Sequence, residues 1–273
     1  MLDRAFEHPQ ELEEKGTMPF AGGIMQHGYQ CGMIWGAALA AGAEAHRRFG
    51  PGPKAEAAAI RAASRVVESF RTRHGEINCF EITNLDKSSS TWEMINFFLI
   101  KGGTIGCFKM ASWYAPLAFE EIDTALTDAA GTEDAAGTPF LRDEAEEQEP
   151  PPVSCAALLA RKMGRSEEHA MMASGLAGGI GLCGGACGAL GAAIWFQAME
   201  VSREKREKKG KVRYEDHLRD PRGQALIDRF LKASDFRFEC SEIVGRVFED
   251  VADHAEYVRS GGCRELIEAL AQE

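Results

Sequence analysis

The chain carries the same cysteine-bearing pattern twice, and any fold it adopts must accommodate that repetition. Ala21, Gly22, Gly23 and Ile24 are matched by Ala177, Gly178, Gly179 and Ile180. A Cys-Gly pair follows at the same distance in each copy, Cys31-Gly32 and Cys187-Gly188. Each copy then places a cysteine ahead of an acid-containing stretch, Cys79 before Glu81 and Cys240 before Glu242. A last cysteine follows a glycine, Gly106-Cys107 and Gly262-Cys263. The interval from Cys31 to Cys107 is 76 residues, as is that from Cys187 to Cys263, while the middle cysteine comes after 48 residues in one copy and 53 in the other. One local length change, compensated later, accounts for this.

The period between apolar residues is helical. Ile60, Ala63, Val66, Val67 and Phe70 share one face of a stretch from Pro53 to Arg73, with proline suitably at its start. Ser90 and Glu93 predict a capping box ahead of Met94 to Ile100. Helices are also expected at 108–126, 155–162, 186–208, 224–233, 241–259 and 264–271, and no sustained alternation predicts a strand. The expected fold is all-α, with two homologous helical-bundle repeats packed as a pseudo-two-fold pair. The first repeat is placed at 1–127 and the second, with the full cysteine set, at 153–273. Between them, residues 128–152 read as an acidic, proline-ended linker: eight acids against Arg142, then three prolines, bury too little to offset their ordering entropy.

A net charge of -11 argues against a nucleic-acid partner, whose phosphates reward a basic face. Residues 16–43 and 170–199 lack Asp, Glu, Lys and Arg. The second is long enough to span a bilayer and is followed by the basic run 203–213. Its glycines break a helix, however, so buried core is preferred to a membrane span, and the basic run is read as a solvated helix end. Trp35, Trp113 and Trp195 are expected in the core. The polar, acidic N-terminus resembles no export signal, which gives a cytoplasmic expectation in which eight cysteines stay reduced.

Chemistry is therefore sought in the thiols. Cys107 and Cys263 after glycines, and Cys155 after Ser154, are placed at helix starts, where free N–H groups and the helix dipole favour the thiolate that metal ligation and disulfide exchange both need. His27 aligns with Cys183, four residues before each Cys-Gly pair, and exchange of Cys for His is a habit of metal ligands; a polar turn is the plainer alternative. No phosphate-binding loop, dinucleotide fingerprint, serine-hydrolase elbow or zinc-protease motif occurs. Glu81 and Glu242 are read as helix-start caps.

The pattern resembles the C_GCAxxG_C_C family of redox-active helical proteins. Cys155 matches that family's first cysteine, Ala186 to Gly191 its central element with Cys187, and Cys240 and Cys263 the remaining two. In the first half, 30–36 closes with its glycine one place late and no residue matches the first cysteine, so that half is expected to be a degenerate or N-terminally truncated copy. The resemblance implies redox chemistry: an iron–sulfur cluster for electron transfer held by Cys155, Cys187, Cys240 and Cys263, with Cys183 as alternate ligand, and with Cys31, Cys79, Cys107 and His27 as lesser candidates. It implies a redox partner protein. Without Cys-x-x-Cys-His, covalent c-type haem is not expected. A thiol–disulfide relay, structural zinc, and a helical assembly module with packed thiols, including a homo-oligomer, are the alternatives.

Overall fold

The computed structural model describes residues 2–131 and 153–272. These form α1 (Leu2–Ala5), α2 (Glu11–Gly16), α3 (Gly32–Phe49), α4 (Pro53–His74), α5 (Cys79–Thr83), α6 (Thr91–Ile95) and α7 (Gly103–Gly131) in the first half. The second half contains α8 (Cys155–Lys162), α9 (Glu167–Ser174), α10 (Gly188–Glu207), α11 (Tyr214–Leu218), α12 (Pro221–Ala233), α13 (Cys240–Val244), α14 (Val251–Arg259) and α15 (Arg264–Ala271). A short 3-10 turn (Met18–Phe20) precedes α3, and a π-helical turn (Asn96–Ile100) joins α6 towards α7. The fold is all-α. Its extended pairings among the described residues are two isolated bridges, Gln30 with Asn78 and Ala186 with Glu239.

Several local expectations are met atom by atom. Ser90 accepts from the Glu93 N–H while the Glu93 carboxylate accepts from the Ser90 N–H, closing the capping box. Ser154 caps α8 by accepting from the Ala157 N–H at 3.3 Å. Others are corrected. The helix expected at 108–126 runs from Gly103 to Gly131, so residues 128–131, assigned to the linker, are its last turn. The rest of that segment, 132–152, lies outside the described residues. The single helix expected at 241–259 is two, α13 and α14: Gly245 adopts φ 81° and ends the first, and the Asp250 carboxylate caps the second.

The glycine-rich stretches explain the two bridges. Residues 22–26 all have positive φ, from 50° to 82°, and so do 178–182, from 55° to 78°. In each copy one residue, His27 or Cys183, returns to negative φ before a further left-handed glycine, Gly28 or Gly184. Both loops therefore make a left-handed turn. Glycine tolerates this, but Ile24, Met25, Gln26, Ile180 and Leu182 each bear a cost of about 1–2 kcal/mol. Ile24 and Ile180 are fully buried, so packing holds the strained backbone in place. At Gly23 and Gly179 a Cβ would also strike the backbone of Tyr29 and of Gly185. The turn thus folds the chain back onto itself just before each Cys-Gly pair.

The halves exchange helices. α2 of the first half packs on α10 of the second, and α9 of the second packs on α3 and α4 of the first. The Trp195 indole N–H donates to the Glu13 carbonyl at 3.1 Å, and Trp35 and Trp195 are both fully buried. Buried Glu56 of α4 accepts from the Val153 N–H at 3.0 Å and the Ser154 N–H at 2.8 Å, and pairs with Arg161 at 2.8 Å. No helix among the described residues is long and apolar enough to cross a membrane. The uncharged stretch 170–199 is almost entirely buried in this interface and in the core beneath it.

The closeness of α3 to α9 is set by Gly42, whose added Cβ would meet the carbonyl oxygens of Met171 and Met172. Gly42→Ala is expected to lower unfolding free energy by about 1–3 kcal/mol. Gly36→Ala, in the same helix with open space above it, should instead raise it by about 0.5–1 kcal/mol. Denaturant unfolding of both variants tests the pair; equal effects would contradict this account of the interface.

Candidate functional site: a four-thiol cavity and its three-thiol counterpart

Four helix starts in the second half point their cysteines at one place. Cys155 opens α8, Cys240 opens α13, and Cys187 and Cys263 stand immediately before α10 and α15. The backbone bridge aligns two of them: the Cys187 N–H donates to the Phe238 carbonyl at 3.0 Å, and the Cys240 N–H to the Gly185 carbonyl at 2.7 Å. Cys263 is itself left-handed, at φ 58°. The four thiols line a small cavity of about 20 Å³ with Gly178, Gly188, Phe248, His254, Tyr257 and neighbouring apolar side chains. Cys155, Cys187 and Cys240 are buried, Cys263 is half-buried, and none forms a disulfide.

Burial governs their ionisation. It raises the pKa of Cys155 against opposing hydrogen bonds from backbone N–H groups, including that of Gly178. It raises Cys187 far above the ordinary thiol value, with Cys155 and Cys263 adding like-charge repulsion. Cys240 is raised likewise, by burial and then by Cys187, Cys155 and Cys263. Cys263 is pushed up to about 11 by burial and by Cys155, while a hydrogen bond with Tyr257 works in the opposite direction. The expectation that helix starts would lower these pKa values is therefore reversed. The N–H groups are present, but desolvation of a buried anion outweighs them. Such thiols ionise readily once a cation is bound among them.

The wall opposite was not expected from the sequence. His254 is 2% exposed, and its Nδ1 lies 2.9 Å from the Val153 carbonyl. A carbonyl accepts, so Nδ1 carries the proton and Nε2 keeps its lone pair. Burial lowers the His254 pKa, which keeps the ring neutral. Phe248 meets that ring edge-on, with centroids 4.8 Å apart. Residues 254, 257 and 258 share one face of α14 at i, i+3, i+4 spacing, a signal present in the sequence.

The first half builds the same scaffold around three thiols. The Cys31 N–H donates to the Ile77 carbonyl at 2.8 Å and the Cys79 N–H to the Tyr29 carbonyl at 2.7 Å, the counterparts of the second-half bonds. Cys31 is pushed up to about 12 by burial, then by Cys79 and Cys107, so these three thiols also face one another. Cys107, expected at a helix start, lies one turn inside α7. His27 is elsewhere: its ring stacks on Phe238 with centroids 5.0 Å apart, and its Nε2 is 3.4 Å from the Lys87 Nζ. Burial and the Lys87 charge push it down to about 4. Cys183 does not line the four-thiol cavity. Its Sγ donates to the Gly179 carbonyl at 2.7 Å and accepts from the Gln30 amide at 3.6 Å. It borders a separate groove with Arg61, Ser64 and Arg71. Glu81 accepts from the Asn78 amide at 3.3 Å, whereas α13 has no side-chain cap from Glu242. Among the described residues no three His, Cys, Asp or Glu side chains are disposed to hold a single metal ion.

A raised thiol pKa has a definite pH signature. The folded protein keeps the Cys263 proton above the ordinary value near 9, where the unfolded chain has lost it. Stability contributed by this group is intact below about pH 9 and lost as pH rises through about 11. Alkylation of metal-free protein, followed by mass spectrometry, should show Cys263 reacting slowly until that range; fast reaction at pH 8 would contradict the assignment.

No curated protein and no solved structure matches the chain at a significant level. A family model does, over residues 1–112 and again over 153–273, under the description "Putative redox-active protein (C_GCAxxG_C_C)". The two matched segments are the two halves whose bridges and left-handed turns coincide, and together they make up most of the chain, which thus belongs to the C_GCAxxG_C_C family as a tandem pair of its units.

Proposed function

We propose that the second half is an electron-transfer unit in which Cys155, Cys187, Cys240 and Cys263 ligate an iron–sulfur cluster. One observation carries this reading: four thiols distant in sequence line one cavity with apolar walls. The charges acting on them are chiefly one another's. Such a donor set suits a thiophilic cationic centre, and a cluster supplies one-electron redox chemistry when bound. The space between the thiols is that of one water-sized group. Accommodating a cluster therefore requires this space to open.

The chain's own groups have definite parts in this. The four thiols give up their protons on ligation. Phe248, Val258 and Leu266 keep water from the sulfurs. Tyr257 lines the cavity with Cys263, and a hydroxyl placed to donate to ligand sulfur tunes reduction potential. Two rivals are less well supported. Structural zinc is commonly held by cysteines in closely spaced pairs, whereas neighbouring members of this set stand 23 or more residues apart. A thiol–disulfide relay needs an accessible thiolate, whereas three of these thiols are buried and burial raises the pKa of all four.

Anaerobically purified protein is expected to contain iron and acid-labile sulfide in equal amounts and to absorb in the visible. Cys155→Ser, Cys187→Ser and Cys240→Ser should each lower the iron content at least severalfold, while Cys183→Ser should retain it. A colourless protein that takes up no iron under anaerobic reconstitution would overturn the proposal, and stoichiometric zinc without sulfide would replace it.

A further inference from the structure

One buried carboxylate of the first half reaches the approach to the four-thiol cavity. Glu56 is 1% exposed and stands in the first turn of α4, where the helix dipole favours a negative charge. Its Oε2 accepts from the Val153 N–H at 3.0 Å and the Ser154 N–H at 2.8 Å, and its Oε1 lies 2.8 Å from the Arg161 Nη1. The Val153 carbonyl accepts from the His254 Nδ1–H at 2.9 Å, and the Ser154 hydroxyl donates to the Ser174 carbonyl at 3.0 Å. The two residues before Cys155 are thus gripped from α4, α9 and α14. Arg161 also pairs with Glu167 at 3.0 Å, so two carboxylates share one guanidinium and a net negative charge is left. Cys155 feels it: burial is the main cause of its raised pKa, and the Glu56 charge adds to it. The repeated helix does not itself call for a buried acid. Proline opens both α4 and α12, and the residue three places on is Glu56 in one and Gln224 in the other. Gln224 is exposed and donates to Asp228 at 3.0 Å.

We propose that Glu56 is a positioning residue for the second-half site: it fixes the entry to Cys155 and, through its charge, holds the reduction potential of the cluster there low. The inference deepens the electron-transfer reading and rests on it. A reduced cluster carries one electron more than an oxidised one, so a nearby negative charge disfavours reduction. In a buried setting little water screens that charge. Bracing the two N–H groups requires only an oxygen acceptor, which glutamine would supply. The carboxylate does more, because it brings a charge from the first half to the centre of the second. The first half thereby conditions the driving force with which the second passes on its electron.

Redox titration of the iron-loaded full chain, followed by visible absorbance, tests it. Glu56→Gln keeps an acceptor for the Val153 and Ser154 N–H groups and removes the charge. It is expected to retain its iron and to favour the reduced state about tenfold more at a given applied potential, a rise of about 59 mV for a one-electron couple. Glu68→Gln, at an exposed position of the same helix, should leave the potential unchanged; an equal shift there would overturn the inference. An iron-loaded Glu56→Gln protein with the potential of the parent chain would also overturn it, leaving the cluster reading intact. A parent chain that takes up no iron would overturn that reading, and this inference with it. Should Glu56→Gln lose its iron, Arg161→Gln, which leaves the Glu56 charge uncompensated, reads the same effect with opposite sign. A potential that does not fall in that variant, or loss of iron from both, would reduce Glu56 to a structural brace and count against the proposal.

Discussion

The pairing of Cys31 with Cys79, and of Cys187 with Cys240, rests on a strained backbone turn held shut by packing. In each half a left-handed run, 22–26 or 178–182, doubles the chain back so that the residue before one cysteine bridges the residue before the next. An ordinary right-handed turn there would send α3 or α10 in another direction and separate Cys31 from Cys79, or Cys187 from Cys240. Backbone strain of this kind persists where surrounding structure over-determines it. Here fully buried Ile24 and Ile180 supply that constraint, with glycine at the points where no side chain fits.

The turns are also where the halves are tied together. The Gln30 amide is fully buried, donates to the Gly179 carbonyl at 3.2 Å and accepts from the Ala186 N–H at 3.1 Å. One residue before the first-half cysteine thus completes the hydrogen bonding of the second-half loop. An apolar side chain at this position would leave buried peptide groups unpaired, at about 1–3 kcal/mol for each group. Glu56 does the same for the start of α8. The four-thiol cavity is a property of the whole chain, because two of its helix starts are braced by first-half side chains.

Much of this was legible in the residues. The shared 76-residue interval anticipated the matching scaffold, and the helix starts at Cys155 and Arg264 fall where the sequence placed them. The division of 241–259 was missed although its marks were present, Gly245 as a left-handed stop and Asp250 as a cap. The protonation state of the thiols was misread for a different reason. Helix N-termini can be seen in a sequence, but the desolvation that outweighs them depends on residues brought from elsewhere, such as Phe248 and Tyr257. The outward apolar face of 92–108 was hidden for the same reason. Its helical spacing resembles that of α14, and the two differ in what each packs against.

Positions 27 and 183 show where equivalence of backbone parts from equivalence of chemistry. Sequence alignment paired His27 with Cys183 as interchangeable ligands, and the structure gives them the same place in the turn, the one residue that leaves the left-handed run. Each side chain nevertheless reaches across to the opposite half. His27 stacks on Phe238 of the second, and Cys183 meets Gln30 of the first. Cys183 also keeps a bond to its own loop, donating to the Gly179 carbonyl at 2.7 Å. Duplication therefore made this position a docking point. An imidazole can fill it by stacking and a thiol by hydrogen bonding, so its chemistry could diverge while the cysteines of the second-half cavity kept their common focus.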